Sequence, residues 1–157
     1  MKTISDKFLE SFMSARVFTD KAFLADSRYA LPTLHWLCNV FPRELLKIHK
    51  VLGQTKWKPE QFDCDDFART AAAFAAVLHS NTKPFPKCGL AFGEFWYRSP
   101  ARPENDRDHA INCIVTAGAL PADYNLIFFE PQNVLTNQNP IVQLTEEEMN
   151  LCLGYRF

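Results

Sequence analysis

The chain has 157 residues, 47% of them hydrophobic and 22% charged, with 14 phenylalanines spread from end to end, which fits one ordered globular domain with a single core. Its 17 basic and 18 acidic residues leave a formal net charge of −1 and form no basic stripe, which argues against a nucleic-acid partner. No apolar run approaches the ~20 residues that span a bilayer, and the start, Met1 to Asp6, lacks the apolar stretch of a signal peptide, so no membrane partner and a soluble, cytoplasmic protein are expected.

In chain order, the first fifty or so residues read as short helical pieces, with Ser5-Asp6 and Thr19-Asp20 as helix starts and Pro32 and Pro42 as interruptions. Leu34, Leu37, Cys38, Phe41, Leu45 and Ile48 recur at helical spacing before Gly53 offers a stop. From Cys64 to His79 the sequence is alanine-rich, and Phe67, Ala71, Phe74 and Leu78 predict one apolar stripe on a helix that starts after an Asp63 N-cap. Beyond Cys88 the period changes. Leu90 to Tyr97, Ala110 to Val115 and Asn125 to Phe129 read as strands of an antiparallel sheet. The segment from Ser99 to Asp108 is a polar, proline-containing loop that leads into His109. Thr145 with Glu148 forms a capping box for a last short helix. The expectation is an α+β fold in one domain, 1–157, with a helical layer at 1–56 and a central helix and sheet at 57–157.

Five cysteines, Cys38, Cys64, Cys88, Cys113 and Cys152, are odd in number and irregular in spacing, so neither a disulfide framework nor a CxxC zinc site fits. Cys64 differs from the others. It opens a helix, where the dipole favours a thiolate, although Asp63, Asp65 and Asp66 around it oppose one. His109 begins a strand directly after the polar loop, and Glu130 ends the next, with Pro131 stopping the ladder. If those strands form a hairpin, Glu130 reaches His109 and fixes the imidazole tautomer, while Cys64 supplies a nucleophile. His35, His49 and His79 fall within helical stretches and read as packed or capping residues. Phe95-Trp96-Tyr97 reads as strand packing, with a substrate groove as the other reading.

The strings Asp63-Cys64-Asp65-Asp66-Phe67-Ala68, His109-Ala110-Ile111-Asn112 and Glu130-Pro131-Gln132 together resemble the cysteine-peptidase domain of the MOA-type mushroom lectins and their lectin-free relatives in bacteria and phages. The resemblance runs from Trp57 to Gln132. It implies a papain-like fold and a calcium-dependent cysteine peptidase acting on a peptide or protein substrate. Cys64 would be the nucleophile, His109 the base and acid, and Glu130 the orienting acid, with Asp65 and Asp66 as calcium ligands and Gln132 or Glu130 as a further oxygen ligand. Papain-like enzymes also carry an oxyanion-hole glutamine before the cysteine; Gln54 is the candidate and Gln61 the second choice, neither at a comfortable spacing. The two aspartates have a plainer reading as residues that favour a helix start. Two further functions stay open: transglutaminase-like or amidase acyl transfer, and a non-catalytic binding or assembly module on a papain-like scaffold.

Overall fold

A computed structural model describes the chain except for residues 1, 20, 55, 57, 59–61, 83–86 and 119–122. Asp20, Gln61 and Trp57 therefore lie outside the described residues. Strand β1 (Thr3–Ser5) leads into helix α1 (Asp6–Ser14), whose Ser5 N-cap accepts from the Phe8 amide at 3.2 Å. Strands β2 (Ala22–Phe23) and β3 (Arg28–Ala30) follow. A π-helical turn, Trp36–Val40, then runs into α2 (Phe41–Val51). Pro42 does not interrupt this helix. It stands in the first turn, where its missing N–H would have had no partner anyway. Gly53 ends the segment at φ 68°, the left-handed conformation that glycine adopts without steric cost.

Helix α3 (Cys64–Ser80) precedes β4 (Gly89–Leu90) and β5 (Phe92–Arg98). A 3-10 turn, Glu104–Asp106, interrupts the polar loop before β6 (Asp108–Ala117). The chain ends with β7 (Tyr124–Phe129), α4 (Pro131–Leu135), β8 (Ile141–Val142), α5 (Glu146–Asn150) and β9 (Cys152–Arg156). The strands form a three-stranded sheet, β1-β3-β4, and a six-stranded sheet, β2-β9-β5-β6-β7-β8.

Two corrections to the expected α+β papain-like layout follow. The N-terminal region is not a helical layer, since it supplies β1 and β3 to one sheet and β2 to the edge of the other. These strands have only two or three residues, too few to show the alternation by which a strand is read from sequence. Sheet dominates the fold, and β9, which pairs antiparallel with β5 from the far end of the chain, is a strand that local pattern did not reveal.

Two apolar clusters flank the large sheet. One gathers Leu9, Met13, Tyr29, Phe95, Ile111 and Cys113. The other holds Phe41, Leu45, Ala71, Ala75, Ile114 and Phe129 between α2, α3 and the strands. Within α3 the fully buried positions are Phe67, Ala68, Ala71 and Ala75, while Phe74 and Leu78 are only half-buried. The expected stripe is thus rotated. Phe67 and Ala71 are buried as expected, but further along the helix Ala75 is buried in place of Phe74 and Leu78, its small side chain allowing close approach.

Candidate functional site

Cys64 is the first residue of α3 and is half-buried. Asp63 stands at the N-cap in an extended conformation, yet its side chain makes no capping bond. Its carboxyl is occupied instead with Asp65. The hydrogen bond to Asp65, followed by burial and the charges of Asp65 and Asp66, raises the Asp63 pKa. The same bond, aided by Arg69 and opposed by burial, lowers that of Asp65. The neighbouring carboxyls thus push their pKa values apart, Asp63 upward and Asp65 downward. Arg69, one turn on, pairs with Asp65 at 2.9 Å and Asp66 at 3.2 Å.

His109, only 3% exposed, is the second residue of β6. Strands β6 and β7 pair antiparallel with Asn112 opposite Phe129, so the residue after β7 comes beside the start of β6. That residue is Glu130. His109 Nε2–H donates to Glu130 Oε2 at 2.6 Å, while Glu130 Oε1 accepts the Gln132 amide at 3.2 Å as the N-cap of α4. One carboxylate thereby orients the imidazole and starts a helix. Burial opposes charge on the ring, but Cys64 and Glu130 outweigh it and push the His109 pKa up to about 9. With Nε2 committed to Glu130, the ring atom left for Cys64 is Nδ1, which has no hydrogen-bond partner of its own. The Tyr97 ring stands edge-on to the imidazole at 5.7 Å. Burial, together with Glu148, Glu130 and Cys64, pushes the Tyr97 pKa up to about 12, so its hydroxyl stays protonated.

An open hollow of about 470 Å³ is lined by Asp63, Cys64, Arg102, Asp106, Asp108, His109 and Gln132. The structure therefore brings Cys64, His109 and Glu130 together. Gln132 is in the same hollow, but Asp65 and Asp66 turn to Arg69 instead. Gln54 is not among the lining residues; it follows α2, where its amide donates to the His49 carbonyl at 2.9 Å and its Oε1 is buried without a partner. Arg102, Asp106 and Asp108 were not singled out as site residues from sequence. All three belong to the charged segment that leads into His109, and that adjacency was the available signal. The other histidines lie elsewhere: His79 contacts the Cys88 carbonyl at 3.1 Å, and His49 is fully buried.

No family model matches the chain, and no curated protein matches it by sequence. Solved structures do. One, titled "PSL1a-E64 complex", has a TM-score of 0.68 at 20% identity and covers 99% of this chain and 51% of its own. Another, of Polyporus squamosus lectin bound to the human-type influenza-binding epitope Neu5Aca2-6Galb1-4GlcNAc, has a TM-score of 0.66 at 20% identity and covers 99% of this chain and 49% of its own. The chain spans about half the length of these structures, and the likeness shows a shared fold.

These matches correct the family reading. Of the solved structures that share the fold, one is named as a lectin and neither is named as a peptidase. The expected cysteine peptidase acting on a peptide or protein substrate is therefore not what the neighbours support.

Proposed function

We propose that this chain is a binding module whose ligand site is the hollow at Cys64, His109 and Glu130. The observation that carries this reading is the meeting of the Cys64 thiol and the buried His109 imidazole in one open hollow, with Glu130 bonded to the ring and the His109 pKa pushed up to about 9. A thiol beside an imidazolium is the arrangement in which cysteine becomes reactive at neutral pH. The titles of the matched structures support a ligand-holding role, since each names a bound compound.

The test is titration of the full chain with E64 and, separately, with Neu5Aca2-6Galb1-4GlcNAc, followed by calorimetry and intact mass. Binding of either compound that is lost in a Cys64→Ala, His109→Ala double variant supports the site. Binding that survives the double variant places the ligand elsewhere. Turnover of casein or a peptide library by the wild-type chain overturns the binding reading. Iodoacetamide provides an independent probe: its methylene carbon accepts the sulfur as iodide leaves, and Cys64 labels faster than the other four thiols in this reading.

Calcium belongs to the same proposal. Asp63, Asp65 and Asp66 present one oxygen each within 4.8 Å of one another, and Asp63 Oδ1 is buried without a hydrogen-bond partner. Three carboxylates, one of them with an orphaned oxygen, suit a hard divalent cation. Such a cation takes the place of Arg69 at Asp65 and Asp66. Gln132, which shares the hollow with Asp63, contributes at most an outer oxygen.

A further inference from the structure

One buried polar side chain near the Cys64 hollow lies outside its lining. Asn112 is on β6, three residues after His109, and is fully buried. Its Nδ2 donates to the Ala68 carbonyl of α3 at 2.8 Å and to the Gly93 carbonyl of β5 at 3.0 Å. Two carbonyl partners fix the amide's orientation, because only the NH₂ face can donate to both. Its Oδ1 is buried and unpaired, which makes this a costly place for an amide. An apolar residue would fill the position without leaving an unpaired oxygen, so the two donated bonds are what the amide adds.

Ala68 is four residues after Cys64 and therefore lies on the same face of α3, one turn along. Asn112 also stands opposite Phe129, the residue before Glu130. A single amide thus joins the helix of the thiol, the strand of the imidazole and a third element beside them, within one turn of Cys64 and one pairing row of Glu130. We infer that Asn112 is a positioning residue that sets the Cys64–His109 approach by clamping α3 to β6 and β5.

The inference rests on the Cys64 hollow being the working site, and the experiment separates the two claims. In the 157-residue chain the rate of Cys64 alkylation by iodoacetamide is followed against pH, and His109 is titrated by NMR. In the wild type, alkylation stays fast below pH 8, and the His109→Ala variant loses that plateau. Asn112→Ala is expected to lower the plateau by roughly tenfold or more, since small misplacements of reacting groups carry costs of that size. Near pH 10 its rate stays within about twofold of wild type, because the thiol then ionises unaided. The His109 midpoint is expected to fall from about 9 toward its ordinary value. Asn112→Ser, which keeps one donor, gives an intermediate profile and serves if Asn112→Ala does not fold. A wild type without the plateau sinks the Cys64 site. A His109 midpoint unmoved in Asn112→Ala sinks the clamp, as does failure of both variants to fold, which would make Asn112 a determinant of the fold instead.

Discussion

His109 carries charge where burial opposes it, and Glu130 at 2.6 Å is the neighbour that holds it by hydrogen bond and by charge. Glu130→Gln keeps an acceptor but removes the charge, so the His109 midpoint should drop from about 9, as read by NMR. The sign for stability follows. A folded-state pKa above the ordinary value of about 6.5 contributes stability that is complete below that value and lost as pH rises through about 9. The unfolding free energy from urea titrations should therefore fall between pH 6.5 and pH 9.5 by an amount on the order of 1–3 kcal/mol, and Glu130→Gln should flatten that slope. His49 behaves oppositely. Burial lowers its pKa, both ring nitrogens lack partners, and the Phe67 ring packs against it at 5.3 Å. Its contribution is present above about pH 6.5 and is lost as pH falls through the lowered value. His49→Phe should leave stability at pH 7.5 within about 1 kcal/mol, because an apolar ring of similar shape removes two unsatisfied atoms. The same substitution should abolish the acid-side loss, which urea titrations at pH 5 and pH 7.5 compare. Cys64, His109 and Glu130 were legible at this scale because each stands at an element end, where local punctuation by aspartates, a polar loop and Pro131 marks it. Arg102, Asp106 and Asp108 were harder to read, because a charged loop looks the same whether or not it folds over a hollow.

For the elements, legibility followed length. The 17-residue helix α3 and the strands β5, β6 and β7 had enough residues to show their period, and the Thr145–Glu148 capping box forms in both directions at α5. The face of α3 was misjudged because bulky side chains dominate an apolar pattern, whereas a helix laid closely on a sheet buries its alanines. Ala71 and Ala75 are fully buried, so Ala71→Leu should destabilise by about 1–3 kcal/mol through overpacking, measurable by chemical denaturation. Ala73, on the exposed face, should accept the same change within about 0.5 kcal/mol. Gly93 makes the matching argument for the sheet. A Cβ there would run into the Arg156 carbonyl of β9, so the β5–β9 pairing requires glycine at that position for closeness of approach.

Across the whole molecule, the large sheet joins residues near both ends of the chain, β2 against β9 and β9 against β5. Pairings of such separation leave no mark on local sequence, and this is why the N-terminal third read as helical. The same long-range closure places the acidic start of α3 beside a second charged cluster. Glu94 of β5 is buried, pairs with Arg156, and lies 4.0 Å from Arg69. Arg69 is therefore shared between Glu94 and the Asp65–Asp66 pair. If calcium takes those two aspartates, Arg69 is released toward Glu94. Millimolar calcium should then raise the melting temperature by mass action, the added stability being about 2.7 kcal/mol at a hundredfold excess over the dissociation constant. The gain should shrink below about pH 5 as the carboxyls protonate. Asp66→Asn should remove most of the calcium shift while leaving the metal-free melting point nearly unchanged, because the exposed Arg69–Asp66 pair contributes little. Arg69→Gln should strengthen calcium binding, since it removes the competing cation, and this sign distinguishes a metal site from a merely acidic helix start. A melting curve unmoved by calcium in both the wild type and Arg69→Gln would leave Asp65 and Asp66 as residues that favour the first turn of α3 and nothing more.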